Sequence, residues 1–218
     1  VRTHLVDSIY KAQKIQFVSN YHEQASAFAA EGFSRVSRNI GVCTATSGPG
    51  ATNLITGIGS TFFDSIPCLY LTGQVNTYEY KRSNDIRQEG FQETDIVSII
   101  KPITKYSVMV TDPKNIKYFL EKAFYLAKAG RPGPVLLDLP MNVQRAEINP
   151  SELIGFYESK EYKLEIRKEV NVEDVSSLIG LIEKSERPVI LAGGGIRLGK
   201  AETNLEKFID ITGIPVVS

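Results

Sequence analysis

Cysteine is scarce in this chain of 218 residues, and any excess of one charge is lacking. Only Cys43 and Cys68 occur, each inside an apolar, strand-like run (GVCTAT and PCLYLT), and no CxxC or Cys/His cluster accompanies them. A disulfide framework and a thiolate metal site are thereby excluded, and two core thiols are expected. Lys plus Arg and Asp plus Glu both number 25, so the formal net charge is zero. A neutral chain has no electrostatic footprint for nucleic acid or for a membrane surface as partner. No apolar run approaches the ~20 residues that a spanning helix needs. No signal-peptide pattern is present, and the expected location is cytoplasmic. The chain opens at Val1 in a helical pattern and stops at Ser218 after an apolar run, so it reads as a fragment.

What is present is alternation. Apolar, β-branched runs occur at IQFVSN (15–20), IGVCTAT (40–46), PCLYLTG (67–73), YSVMVT (106–111) and PVLLDLP (134–140). Helical patterns lie between most of them, at 22–36, about 51–63 and 114–129. In the last, Ile116, Phe119, Leu120, Ala123, Phe124 and Ala127 recur at three- and four-residue spacing. Continuous apolar strands alternating with helices predict an α/β fold, a doubly wound, mostly parallel sheet covered on both faces. Residues 1–150 form this first domain. A charged linker follows over 151–172, with the boundary near 165, and residues 173–218 read as the truncated start of a second α/β domain. There GGGIRLG (193–199) misses the dinucleotide spacing, because Leu198 stands where the third glycine belongs. A tight strand-to-helix turn is the expectation.

Three segments hold candidate chemistry. NYHEQASAFAAEGFSR (20–35) places Glu23 in the first turn of a helix otherwise small or apolar, with Ala25, Ala27, Phe28, Ala29, Ala30 and Phe33 around it. Such an acid either complements the helix dipole or is held out of water for chemistry. ATSGPGATN (45–53) ends a strand, turns at Gly48-Pro49-Gly50 and opens a helix at Ala51-Thr52-Asn53. The glycines admit something flat or bulky against the backbone. No Lys follows, so this is not a Walker loop. In QEGFQETD (88–95), Phe91 and Gln92 follow a polar loop at a strand end, where parallel sheets bind ligands.

Taken in order, these segments resemble the pyrimidine-binding N-terminal domain of thiamine-diphosphate-dependent enzymes, in the acetolactate synthase-like branch. The resemblance rests on HEQ-x-A-x-x-A-A-E-G (22–32), ATSGPGATN (45–53), DS-x-P (64–67), TGQV (72–75), FQETDIV (91–97), ITK (103–105) and GRPGPVLLDLP (130–140). It implies that Glu23 hydrogen-bonds N1′ of the cofactor's aminopyrimidine, favouring the imino tautomer that takes the proton from thiazolium C2. It also implies that Gly48, Pro49, Gly50 and Asn53 line the cofactor pocket and that Phe91 and Gln92 stand near the substrate. His22 is expected to cap, Arg131 to hold a turn and Asp138 to bond backbone. Gln24 faces either pocket or solvent.

The resemblance further implies thiamine diphosphate, Mg²⁺ held by a separate domain with a GDG sequence that these residues lack, and FAD in part of the branch. No metal ligand is therefore expected here. The implied activity is decarboxylation or carboligation of a small-molecule 2-oxo acid, in a homodimer or homotetramer. The loop NTYEYKRSNDIRQEG (76–90) differs from that expected of acetolactate synthases, so a different 2-oxo acid is the alternative. A non-catalytic dimerisation domain and a nucleotide-binding domain are the remaining ones.

Overall fold

The computed structural model describes residues 3–81, 83, 85–165 and 171–218. They fall into two compact units, Val1–Leu164 and Glu165–Ser218.

The first unit begins with α1 (Thr3–Ala12) and α2 (Glu23–Ser37), then β1 (Gly41–Ala45), a short α3 (Pro49–Thr52), α4 (Ile55–Phe63) and β2 (Cys68–Gln74). After a long loop come α5 (Ile96–Ile100), β3 (Tyr106–Met109), α6 (Ile116–Lys128), β4 (Val135–Pro140), α7 (Met141–Gln144) and α8 (Lys160–Glu165). The four strands pair in parallel in the order β1-β2-β4-β3. Every residue of β2 and β4 is buried, as a central strand covered on both faces requires. Alternate residues of these strands serve opposite cores. Cys68, Tyr70 and Leu136 pack with α2, α4 and α5, whereas Leu69, Leu71, Val135 and Leu137 pack with α6. The doubly wound α/β sheet is thus present.

Two expectations need correction. The run 15–20 forms no strand, and Ile15, Phe17 and Val18 are exposed. β-branched content favours a strand only where a ladder partner accepts it, and among the described residues none pairs with this run. The predicted helix over 51–63 is broken in two, because the turn at Asn53 and Leu54 separates α3 from α4.

Residues 150–165 are charged in sequence, yet Phe156 is fully buried against α6. Its ring lies 5.5–5.9 Å from those of Tyr118, Tyr125, Tyr157 and Tyr162. Tyr118 donates to Glu161 and Lys122 pairs with it, fastening α8 to α6.

The second unit holds α9 (Val172–Glu183), β5 (Ile190–Leu191), α10 (Gly195–Leu198), α11 (Glu202–Thr212) and β6 (Val216–Val217). The two strands pair in parallel. Asn171 caps α9 by accepting from the Glu173 amide, and Gly213 ends α11 in the left-handed region at φ +65°. A Cβ placed on Gly193, Gly194 or Gly195 would meet nothing within 4 Å, so close packing does not demand these glycines in this unit. Among the described residues, no helix is long and apolar enough to cross a membrane.

Candidate functional site

Glu23 is the first residue of α2. His22 precedes it as the cap: its backbone is extended and its Nδ1 accepts the Gln24 amide at 3.1 Å. The expected capping role of His22 is therefore seen. Glu23 and Gln24 are both half-buried. Asn53 Nδ2 donates to Glu23 Oε2 at 3.1 Å. The other oxygen, Oε1, lies beside Gly50, where a Cβ would stand 3.2 Å from it and 2.6 Å from Thr46 Cγ2. Glu23 thus meets Gly50 and Asn53, which belong to a turn about thirty residues further along the chain.

A four-residue rhythm sets that meeting. Along α2, Glu23, Ala27, Glu31 and Arg35 face Asn53, Gly57, Ser60 and Asp64 in turn. Ser60 Oγ donates to Glu31 Oε1 at 3.1 Å, and Arg35 pairs with both Glu31 and Asp64. In the middle, a Cβ on Gly57 would lie only 2.4 Å from Ala27 Cβ. Two small residues let the helices close until the side chains one turn away can bond. The rest of α2 is less buried than its composition predicts. Ala27 and Ala30 are in the core, but Phe28, Phe33 and Val36 are exposed.

The turn after β1 is shaped by glycine. Gly48 has φ +64°, and a Cβ there would lie 2.8 Å from Gln92 Cβ and 2.9 Å from the Gln92 carbonyl oxygen. Gln92 itself takes the left-handed conformation at φ +58°. Gly48 and Gln92 are therefore in contact, whereas Phe91 next to it is 78% exposed. Pro49 occupies the first position of α3, where its missing N–H costs nothing.

The loop 75–95 is held by groups that sequence reasoning missed. Glu93 is buried, and its carboxylate accepts three backbone amides: Lys81 at 3.0 Å, Glu89 at 2.8 Å and Gly90 at 3.2 Å. An acid directly after the Phe-Gln pair was visible in sequence, but its amide partners lie up to twelve residues away and only folding brings them in. Asp138 was expected to bond backbone. Instead its carboxylate accepts from two side chains, Thr72 Oγ1 at 2.7 Å and Gln74 Nε2 at 2.8 Å. Register explains this, since Thr72 and Asp138 are paired across β2 and β4 and Gln74 lies two residues along. Burial pushes the Asp138 acid up to about 7, against the two hydrogen bonds that pull it down. Arg131 Nε donates to Ser65 Oγ at 2.6 Å, in keeping with the expected turn-holding role. Among the described residues, no group of three or more His, Cys, Asp and Glu is placed to hold a metal ion.

The arrangement places the Glu23 carboxylate between the Asn53 amide, bonded to Oε2, and Gly50, near Oε1. The two glycines make room for the chain itself: Gly48 admits Gln92, and Gly50 admits Thr46 and the Glu23 carboxylate.

Residues 2–99 match the model of the thiamine pyrophosphate enzyme N-terminal TPP binding domain, and residues 175–218 match that of the central domain. The chain is 40% identical, over 97% of its length, to the acetolactate synthase large subunit of Corynebacterium glutamicum. It is 38% identical over 98% to that of Lactococcus lactis, and 38% identical over 97% to acetolactate synthase 2, chloroplastic, of Nicotiana tabacum. It spans 32%, 36% and 30% of those relatives, or about a third of their length. Two domain models in family order show that the chain belongs to the thiamine pyrophosphate-dependent enzymes, and relatives aligned over 97–98% of its length make it similar to acetolactate synthases.

Proposed function

We propose that this chain is part of a decarboxylase or carboligase that acts on a 2-oxo acid with thiamine diphosphate. The observation that carries the reading is the position of Glu23, fastened by Asn53 and turned toward Gly50. Thiamine diphosphate, when bound, supplies a thiazolium carbon able to add to the carbonyl of a 2-oxo acid and to hold the electron pair left by decarboxylation. Glu23 Oε1 holds the proton shared with the aminopyrimidine ring. Asn53 donates to Oε2 and so fixes the direction of the carboxyl plane. Gly48 lets Gln92 close on the turn, Gly50 lets the turn close on the Glu23 carboxylate, and Pro49 stiffens it. Phe91 and Gln92 stand at the side where substrate enters. The chemistry of a carboxylate fastened by Asn53 suits an aminopyrimidine nitrogen.

Mg²⁺ and the diphosphate belong in this reading to residues other than these. FAD is decided by the flavin absorbance of the purified protein. The exposed Phe28, Phe33 and Val36 of α2 support a homodimer or homotetramer, since exposed apolar side chains of that size call for cover. Two buried cysteine thiols support a reducing compartment such as the cytoplasm. A second reading, a 2-oxo acid other than pyruvate, draws on the tyrosine- and charge-rich loop 76–90.

Glu23→Gln in the intact protein tests the role. It should lower kcat for 2-oxo acid consumption by about a hundred- to ten-thousand-fold, with the circular dichroism unchanged. Activity within twofold of the unsubstituted protein would overturn the assignment.

A further inference from the structure

At the C-terminal ends of β2 and β4 lies a buried polar chain that the cofactor reading does not use. Thr72, Gln74 and Asp138 are each 1% exposed. Gln74 Nε2 donates twice, to Asp138 Oδ2 at 2.8 Å and to the backbone carbonyl of Thr94 at 2.7 Å. Its Oε1 accepts the Val75 amide at 3.0 Å, so every polar atom of the Gln74 side chain is engaged. Asp138 has Thr72 on its other oxygen. The sheet therefore reaches out, through one amide side chain, to a carbonyl in the turn that follows Gln92.

We propose that Asp138 and Gln74 are positioning residues, a latch that fastens the 90–95 turn to the sheet and so sets where Gln92 lies on the Gly48 turn. Three further contacts bear on the same turn. Gly90 is pressed on Val75, where a Cβ would approach to 2.8 Å. Glu93 draws in the amides of residues 81, 89 and 90. Gln92 meets Gly48 in a left-handed conformation that needs support from its neighbours. Of these contacts, the latch alone connects the turn to a side chain on a central strand. A buried carboxylate that lost Gln74 would face a large desolvation penalty, so the chain holds together as a unit. The acid is raised by burial, and a protonated Asp138 still serves, because its hydroxyl can donate to Thr72 Oγ1 while the other oxygen accepts from Gln74.

Amide hydrogen exchange on the protein without cofactor reads the latch directly. The Glu93 and Ile96 amides, bonded to the carbonyls of Gly90 and Thr94, should exchange at rates close to those of the sheet. Exchange as fast as an exposed loop, in the unsubstituted protein, would overturn the proposal. Gln74→Met, which keeps length and removes the donor, should speed exchange over residues 90–96 roughly tenfold while leaving β1 and α6 unchanged. Asp138→Ala should do the same, and Asp138→Asn should restore slow exchange, because an amide can accept from Gln74 and donate to Thr72. A uniform rise along the whole sheet in both Gln74→Met and Asp138→Ala would show general destabilisation and refute the latch.

The functional consequence rests on the reading of Gln92 as a substrate-side residue. Under it, Gln74→Met raises KM for the 2-oxo acid more than it lowers kcat. Selective exchange without that change in KM would leave the latch standing and refute the placement of Gln92.

Discussion

Replacing Gly57 by alanine is expected to loosen the site without touching it. The added carbon would lie 2.4 Å from Ala27 Cβ. Carbon atoms rest at about 3.5–4.0 Å, so α2 and α4 must part by about 1–1.5 Å. One turn away on both segments, Asn53 and Glu23 are 3.1 Å apart. The same displacement takes that pair past the ~3.5 Å limit of a hydrogen bond. Overpacking costs about 1–3 kcal/mol and the lost bond about 1 kcal/mol. Alanine returns about 1 kcal/mol of helix propensity. The balance is a loss of about 1–3 kcal/mol, or some 2–4 °C in Tm per kcal/mol for a protein of this size. Gly59 supplies the control on the same helix. Its Cβ would find only Phe63 Cε2, at 3.9 Å, so Gly59→Ala keeps the propensity gain and raises Tm by about 2 °C. Scanning calorimetry on the two variants decides the matter. If Gly57→Ala melts as high as Gly59→Ala, close helix contact does not set the spacing at Glu23, and the reasoning fails.

Other outcomes follow from the same structure. Asp138 has a folded-state acid raised to about 7 from its ordinary 3.8, so the native state binds the extra proton between those values. Stability then falls as pH rises from about 4 to 7, by up to about 4 kcal/mol, and levels off above; Asp138→Asn should flatten that part of the urea-midpoint profile, and an unchanged slope would refute the assignment. Phe156→Ala removes a fully buried ring from among four tyrosines and should cost about 3–5 kcal/mol in urea unfolding; a loss below about 1 kcal/mol would mean the 150–165 segment is not anchored there. Burial pushes the Cys68 thiol up to about 12 and Cys43 is 4% exposed, so neither should react with a thiol reagent until the protein unfolds. Rapid labelling of the native protein would contradict their place in the core.

The strands were legible where burial on both faces forces a continuous apolar run, as in PCLYLTG and PVLLDLP. The run IQFVSN had the same local character and failed, because a strand also needs a neighbour, which no single segment reveals. That Glu23, Gly50 and Asn53 belong together was implied by the family resemblance alone, and the bond from Asn53 to Glu23 is a tertiary fact. The rhythm that enforces it could have been read from Ala27 and Gly57, each four residues beyond a member of the site. Gln74, Glu93 and Asp138 were harder. Their roles depend on strand register and on amides brought round by a loop, both of which are tertiary facts. Phe156 was hidden for a different reason: Leu153, Ile154 and Phe156 are too short an apolar group in a charged stretch to show a period, although the burial of Phe156 decides where that stretch lies.

The carboxylate of Glu93 bridges residues 81 and 89, eight positions apart. It works as a clasp that shuts the base of the stretch between them, much as a brooch closes a fold of cloth. Because closing a longer loop costs only slightly more, that stretch can be lengthened or exchanged while both of its ends stay pinned. Variation in its length leaves the two pinned ends in place.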